Sequence, residues 1–300
     1  MLRMSNKTMK YSRRKMIKGM IVSTGAVIIG KPSLLHSGQN KHENVMLNGN
    51  INHSVCRWCY NSIPLEEFSE RVKEIGIQSI ELTTPDEWKV IRKYGLTSAI
   101  GTGPFASIKE GFNDLANHEK LYKPYIELIS KAADNGVPNV ILFTGNRNGI
   151  SDEQGIENFV IGVQKIVKHA EKVGVTVLTE LLNSKIDHID YQGDRTDFGI
   201  KLVDKIGSPN FKLLYDIYHM QIMEGDIIRT ITKYKDYIAH YHTAGVPGRH
   251  EIDETQELNY KAIMKAIVNN GFKGYVAQEF IPTKKNKIAA LKKAIRICDV

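Results

Sequence analysis

The amino-acid sequence predicts an α/β protein, a single-domain (β/α)₈ (TIM) barrel preceded by an N-terminal export signal. The chain has 300 residues, of which 42% are hydrophobic and 25% are charged. This is ordinary globular composition, and it excludes a mostly disordered or fibrous protein. From residue 52 onward, short apolar segments alternate with longer amphipathic segments. A (β/α)₈ barrel typically needs about 250 residues, so about fifty residues are left for a tail.

Eight apolar segments are predicted to be strands, and each is followed by a predicted helix. The strands are 53–58, 78–82, 96–100, 139–143, 175–179, 211–215, 237–241 and 274–278. The helices are 64–75, 86–94, 118–135, 152–173, 195–207, 226–233, 259–270 and 284–297. Strict alternation predicts a parallel sheet with its helices outside, and eight such units predict a closed barrel.

Glycines mark the ends of six predicted helices, where a left-handed C-cap is expected. They are Gly76, Gly95, Gly136, Gly174, Gly207 and Gly271. A doubly wound sheet is the alternative architecture. It needs a glycine-rich phosphate-binding turn after its first strand, and the segment from Tyr60 to Pro64 contains no glycine.

The positive charge of the chain is concentrated in its tail. Residues 1–31 contain eight Lys and Arg and no Asp or Glu, and the first acidic residue is Glu43. Subtracting these eight from the 41 Lys and Arg leaves 33, which equals the 33 Asp and Glu of the chain. A DNA-binding domain usually carries its positive charge in the folded body, so we expect no nucleic-acid partner.

The tail has the layout of a secretory signal, a charged segment followed by a short apolar run at 20–29. The run is shorter than the about 20 apolar residues of a membrane span. The paired Arg13 and Arg14 resemble the twin-arginine export signal. We therefore predict a signal at 1–36, a linker at 37–51 and the barrel at 52–300. We therefore expect a periplasmic protein without a stable membrane span. The alternative is a membrane anchor formed by an uncleaved signal.

The three cysteines, Cys56, Cys59 and Cys298, do not provide a disulfide framework. Cys56 and Cys59 match C-x-x-C, but their segment is predicted to be the first strand. Side chains three apart on a strand point to opposite faces and cannot be bridged. No second C-x-x-C follows, so we expect neither redox nor zinc chemistry at this pair.

Residues able to bind a metal ion follow four consecutive predicted strands. They are Glu180, Asp216, His242 and Glu279. Reactive groups in a (β/α)₈ barrel lie at the C-terminal ends of the strands, so these side chains are expected to converge. Carboxylates with one imidazole suit one divalent ion such as Mn²⁺, Mg²⁺ or Co²⁺. Each carboxylate taken alone is also explained as a helix cap or an ion-pair partner.

The pattern Glu180…Asp216-x-x-His219…His242…Glu279 resembles the xylose isomerase-like barrel superfamily over roughly residues 50–298. Residues 214–221 and 247–251 resemble hydroxypyruvate isomerases within it. The resemblance implies that these two glutamates, Asp216 and His242 hold one metal ion. It also implies that His219 and Arg249 contact substrate oxygens.

Two positions depart from the hydroxypyruvate isomerase pattern. Those enzymes commonly have Glu-Pro-x-Asn where this chain has Glu-Leu-Leu-Asn at 180–183. They also commonly have Gln where this chain has His242, and histidine at this position is typical of ketose 3-epimerases. The resemblance is therefore specific for the superfamily and weaker for the substrate.

The predicted activity is metal-dependent isomerisation of a small hydroxy-carbonyl compound or sugar through an enediolate. The resemblance suggests conversion of hydroxypyruvate to tartronate semialdehyde. Glu180 and Glu279 are the predicted catalytic pair, which moves the proton while the ion polarises the carbonyl. A substrate carboxylate would need a cation, for which Arg57, Lys185 and Arg249 are the candidates.

Two alternative functions remain open from the sequence. A ketose or keto-sugar 3-epimerase would use the same proton transfers, and a non-catalytic carbohydrate-binding barrel would keep the metal without turnover. An AP endonuclease is disfavoured, because the second and third predicted strands end at 81–82 and 99–100 without the additional histidines of that class. A homo-oligomeric assembly is also left open.

Overall fold

Eight parallel strands form the inner layer of the computed structural model, which describes residues 46–300. The strands are β1 (Asn52–Cys56), β2 (Ser79–Glu81), β3 (Ile100–Gly101), β4 (Asn139–Leu142), β5 (Thr176–Leu181), β6 (Phe211–Asp216), β7 (Ile238–Thr243) and β8 (Tyr275–Gln278). Their order in the sheet is β2-β1-β8-β7-β6-β5-β4-β3. The predicted signal at 1–36 and most of the predicted linker lie outside the described residues.

The sheet is a near-closed barrel, and its seam lies between β2 and β3. Two isolated parallel bridges, Ser79 with Thr97 and Thr83 with Gly101, join the segments that contain these two strands. The amide of Leu82 also donates to the carbonyl of Ile100 at 2.9 Å. Eight parallel strands that alternate with helices confirm the barrel predicted from the sequence.

The helices pack outside the strands, in chain order. They are α1 (Leu65–Ile75), α2 (Pro85–Lys93), α3 (His118–Asp134), α4 (Asp152–Val173), α5 (Thr196–Ile206), α6 (Ile217–Met223), α7 (Ile227–Lys233), α8 (Tyr260–Asn269) and α9 (Lys287–Cys298). No helix among residues 46–300 combines the length and the apolar composition needed to cross a bilayer.

Three local predictions were wrong. The first strand ends at Cys56, and Arg57–Tyr60 form a 3₁₀ turn where a strand was predicted to continue to residue 58. The third strand is reduced to Ile100–Gly101 at the seam. The additional helix α6 follows β6 directly, because the Asp216 side chain caps it by accepting from the amide of Tyr218 at 2.8 Å.

A small apolar layer fills the inside of the barrel below its C-terminal mouth. It consists of the fully buried Ile100, Ile141, Leu178 and Leu214. Side chains alternate between the two faces of a strand, so residues two positions further on point into the same interior. Glu180 follows Leu178 and Asp216 follows Leu214 in this way. The apolar layer therefore forms the floor of the polar site above it.

Candidate active site

The four predicted metal ligands meet at the C-terminal mouth of the barrel. One ligand atom from each of Glu180, Asp216, His242 and Glu279 lies within 4.8 Å of the others. Nδ1 of His242 is 2.7 Å from Oε2 of Glu279 and 3.1 Å from Oε1 of Glu180. All four residues are buried. The adjacent register of β6 and β7, which pairs Asp216 with His242, contributes to this convergence.

The three carboxylates of the cluster outnumber the cationic groups beside them, Arg249 and His242. Burial raises the pKa of Asp216 to about 8, although Arg249 opposes this shift. Burial and the neighbouring Glu279 also raise the pKa of Glu180. Burial acts in the same direction on Glu279, but Arg249 and His242 outweigh it and hold the pKa of that carboxyl well below its usual range. Clustered buried carboxylates of this kind favour a bound cation.

The chemistry of the donors fits a divalent metal ion. Three carboxylates and one imidazole nitrogen are available, and such oxygen-rich sets suit Mn²⁺, Mg²⁺ or Co²⁺ better than thiolate-preferring ions. One Asp216 oxygen is occupied by capping α6, while the other faces the cluster 3.5 Å from Nη2 of Arg249. One oxygen of the Asp216 carboxylate therefore caps α6, and the other remains available to the cluster.

Glu81 is a site residue that the sequence analysis missed. Its Oε1 accepts a hydrogen bond from Nε2 of His242 at 2.8 Å. Nε2 of His240 lies 2.8 Å from the same oxygen, although its N–H is not aligned for a hydrogen bond. Burial raises the pKa of Glu81, but the imidazoles outweigh it and lower the pKa to about 2. The spacing His240-x-His242, which turns both rings inward, was the available sequence signal.

Arg249 lies across the carboxylates, at a left-handed backbone position with φ of 59°. Its Nη2 donates to Glu279 at 2.6 Å. The guanidinium carbon lies 5.3 Å from the ring centroid of Trp58 and 5.5 Å from that of Tyr218, within cation–π distance of both. Nε1 of Trp58 also donates to Glu279, at 2.8 Å. The structure therefore places Arg249 at the site, with its guanidinium paired to Glu279, while its predicted contact with substrate stays a prediction.

The tautomer of His219 is set by Asn183. The Asn183 side-chain oxygen accepts from the amides of Ile186 and Asp187, which fixes the orientation of the amide group. Its nitrogen then donates to Nδ1 of His219 at 2.7 Å. The ring hydrogen is therefore on Nε2, which lies 3.5 Å from Oδ2 of Asp216. His219 thus directs a donor toward the cluster.

Arg57 and Lys185 have other partners. The Arg57 guanidinium donates to the carbonyls of Tyr60 and Ile63 and supports the 3₁₀ turn. Nζ of Lys185 donates to the carbonyls of Ile222 and Met223 at the end of α6. Neither residue lines the cavity at the mouth. Their positions thus give no support to the substrate-binding role predicted for them.

Cys56 borders the site, and both cysteines of the C-x-x-C match are free thiols in buried positions. Sγ of Cys56 is 3.7 Å from Nε2 of His242. Burial and the neighbouring Glu279 raise the pKa of both thiols, which keeps them protonated. The strand argument used for the pair was wrong, because Cys59 lies in the 3₁₀ turn. The expectation of no redox or zinc chemistry at the pair stays a prediction.

A cavity of about 420 Å³ opens above the cluster. The ionisable residues of its lining are Glu180, Glu279, Arg249 and His188. The rest of the lining is mainly apolar and consists of Trp58, Leu82, Thr102, Ala106, Ile108, Ile141, Phe143 and Leu182. The cavity therefore combines a few ionisable groups with a mainly apolar wall.

Residues 64–298 match the family model described as xylose isomerase-like TIM barrel. The chain belongs to this family. The match covers most of the barrel and confirms the resemblance found in the sequence. Family membership by itself leaves the substrate unspecified, since one barrel fold hosts many reactions.

Relatives of this xylose isomerase-like chain include proteins named as hydroxypyruvate isomerases. The putative hydroxypyruvate isomerase of Homo sapiens is 26% identical over 226 residues, which cover 75% of this chain and 77% of the relative. The hydroxypyruvate isomerase of Escherichia coli (strain K12) is 36% identical over 137 residues, covering 45% of this chain and 51% of the relative.

Solved structures share the fold of this family member. AP endonuclease, family 2, from Brucella melitensis superposes with a TM-score of 0.73 at 23% identity, covering 80% of this chain and 96% of that structure. The 3-keto-D-glucoside 4-epimerase of E. coli gives a TM-score of 0.70 at 16% identity, covering 83% and 100%. At these identities the likeness concerns the fold alone.

Replacing Arg249 by Met should destabilise the metal-free protein. Arg249→Met leaves Asp216 and Glu279 buried without their nearby cation. We expect the free energy of unfolding to fall by about 3 kcal/mol, measured by urea denaturation in EDTA. The control is Arg229→Met, since Arg229 is exposed and pairs with Asp226 on the surface. It should change the free energy by less than about 0.5 kcal/mol. Equal losses in the two variants would contradict the electrostatic account.

Proposed function

We propose that the protein is a divalent-metal-dependent isomerase of a small hydroxy-carbonyl compound or sugar, similar to hydroxypyruvate isomerase. The names of its relatives support the isomerase class. The observation that carries the mechanism is the convergence of Glu180, Asp216, His242 and Glu279 at one buried point beside a cavity. A divalent ion held there would polarise the substrate carbonyl and stabilise negative charge on its oxygens.

The residues of the chain supply the proton transfers. The carboxylates of Glu180 and Glu279 both line the cavity and both approach Nδ1 of His242. One carboxylate removes the proton from the carbon next to the carbonyl, and the other, or the same one, returns it. Return to the adjacent carbon completes aldose–ketose isomerisation. Return to the opposite face of the same carbon gives epimerisation.

Two donors hold the substrate oxygens during this transfer. Nε2 of His219 carries its hydrogen because Asn183 occupies Nδ1. Arg249 adds a planar guanidinium, which suits a carboxylate or two neighbouring oxygens. Trp58 and Tyr218 limit the movement of Arg249 by packing near it. Fixed donors at the site of developing charge favour the enediolate over the starting compound.

The cavity favours a second candidate, an epimerase of a ketose or keto-sugar. Its volume of about 420 Å³ lies within the range of about 300–1,000 Å³ that accommodates ligands much larger than a three-carbon acid. Histidine at position 242, the residue typical of ketose 3-epimerases, supports the same candidate. A carbohydrate-binding barrel without turnover is the remaining alternative.

A substrate panel in D₂O should separate these functions. The Mn²⁺-loaded protein is incubated with hydroxypyruvate, four-carbon 2-oxo acids, free ketoses and keto-sugars, and the products are followed by NMR. We expect solvent deuterium at the carbon next to the carbonyl in at least one compound, because a carboxylate base exchanges with water. A new aldehyde or ketone identifies an isomerase, and an inverted stereocentre identifies an epimerase. Binding of these compounds without deuterium uptake would contradict catalysis.

Replacing the predicted base should abolish turnover while preserving the fold. We expect Glu279→Gln to lower kcat/KM for the best substrate by about 10²–10⁴-fold, because the amide cannot accept the proton. Circular dichroism should remain that of the wild type. The control is Glu224→Gln, since Glu224 accepts hydrogen bonds from Thr196 outside the site. Wild-type turnover by Glu279→Gln would show that another group is the base.

We also propose export through the twin-arginine signal, followed by action in the periplasm. The paired Arg13 and Arg14 support this proposal. The full chain expressed in a Gram-negative host should appear in the periplasmic fraction, while Arg13→Lys combined with Arg14→Lys should keep it in the cytoplasm. Arg3→Lys, outside the pair, is the control. Equal periplasmic recovery of the double variant and the wild type would contradict a twin-arginine signal, and membrane recovery would indicate an uncleaved anchor.

A further inference from the structure

We propose that Glu81 is a positioning residue of the candidate metal centre. Its carboxylate holds the His242 ring with hydrogen on Nε2 and so leaves Nδ1 as the nitrogen that binds the ion. The inference rests on the proposed function, because it takes the cluster at the barrel mouth to hold a divalent ion. Glu81 does not line the cavity and is not among the four ligands of the cluster, although it forms a second group of possible ligands with His240 and His242.

The two ring nitrogens of His242 face different partners. Nε2 lies 2.8 Å from Oε1 of Glu81, and Nδ1 faces Glu180 and Glu279. The same Glu81 oxygen is 2.8 Å from Nε2 of His240, so two imidazole nitrogens approach one acceptor. An imidazole bound to a metal ion through one nitrogen has one N–H, and donation of that N–H to Glu81 would leave the lone pair of Nδ1 on the side of the cluster for the ion. Histidines that bind metals commonly donate their other N–H to a carboxylate in this way.

The contact between the Glu81 and His242 side chains is not a consequence of strand pairing, since Glu81 pairs with Cys56 of β1. Glu81 ends β2, whereas His242 is in β7, and β1 and β8 lie between these strands in the sheet. The contact is made by side chains through the barrel interior. Its second oxygen, Oε2, has no hydrogen-bond partner among residues 46–300. A fully buried carboxylate is costly unless partnered, and the partners of this one are the two inward-facing imidazoles and the thiol of Cys56, which donates to Oε1 at 4.0 Å.

The groups around Glu81 are shielded from solvent. Glu81, His240 and His242 are all fully buried, so water cannot replace the missing acceptor when the carboxylate is changed. Sγ of Cys56, 3.7 Å from Nε2 of His242, is the other polar group near this side of the ring, and its thiol is a weak partner. The orientation of His242 therefore depends on Glu81.

The first test is the affinity of the full chain for Mn²⁺, measured by isothermal titration calorimetry. Glu81→Gln should bind Mn²⁺ about 10–100-fold more weakly than the wild type, the range typical for loss of a carboxylate behind a metal-binding histidine. The matched control is Asp194→Asn, another buried acid whose partners are Arg147, Arg195 and Ser184. It should bind Mn²⁺ with wild-type affinity.

The outcomes separate this inference from the proposed function. If the wild type binds Mn²⁺ and Glu81→Gln binds it equally well, the positioning role of Glu81 is overturned while the metal site survives. An equal loss in Asp194→Asn would also overturn it, since the effect would then be general destabilisation. If the wild type does not bind Mn²⁺, the proposed metal-dependent function fails first and the role of Glu81 fails with it.

A second measurement uses the wild type and does not depend on the folding of a variant. ¹⁵N NMR of histidine-labelled protein loaded with diamagnetic Mg²⁺ reports which ring nitrogen carries hydrogen. The His242 signals, assigned by their loss in His242→Asn, should show a protonated Nε2 and an unprotonated Nδ1. Hydrogen on Nδ1 with a bare Nε2 would overturn the inference.

Discussion

The exclusion of water from a cluster of acidic groups is the constraint on which the site depends. Asp216 and the two glutamates at 180 and 279 lie close together in the barrel mouth, where charges are poorly screened. The surroundings compensate with positive charge and donors. Arg249 and Trp58 bind Glu279, while the Asp216 carboxylate receives the first amides of α6. The position of Arg249 and the capping of α6 thus both serve to compensate buried negative charge.

Two imidazoles in the site are likewise held in place by buried polar neighbours. Asn183 occupies one nitrogen of His219, and Glu81 occupies one nitrogen of His242. In each case the partner reaches one side of the ring and leaves the other side toward the carboxylates. Neighbours that leave no freedom in the tautomer produce a preorganised site. Such a site spends little free energy on reorganisation when the substrate arrives.

Periodic patterns in the sequence predicted the barrel and the convergence of the four strand-end residues. Because side chains alternate between the faces of a strand, Leu178 and Glu180 share one face, as do Leu214 and Asp216. This inference needs no knowledge of distant contacts. The role of Glu81 was missed because its imidazole partners are about 160 residues away in the sequence, although the spacing His240-x-His242 already indicates that both rings point inward. The hydrogen-bond partners of Arg57 and Lys185 could not be predicted from the sequence either, since a long cationic side chain can reach many backbone carbonyls.

The helix α6 illustrates a further limit. Its beginning depends on a side chain that also faces the cluster, and neither glycine nor proline separates it from β6. A prediction from local propensity alone therefore misses a helix that begins directly after a strand.

The seam between β2 and β3 has a consequence for the dynamics of the site. Isolated bridges and a few backbone hydrogen bonds hold this part of the barrel, whereas the other neighbouring strands form ladders. Segments with few interstrand bonds open locally at lower free energy than the rest of a fold. Glu81 belongs to β2, so each opening of the seam would loosen the partner of His242 without unfolding any ligand strand. For the proposed metal ion, faster amide exchange in β2 should therefore accompany weaker retention of the ion.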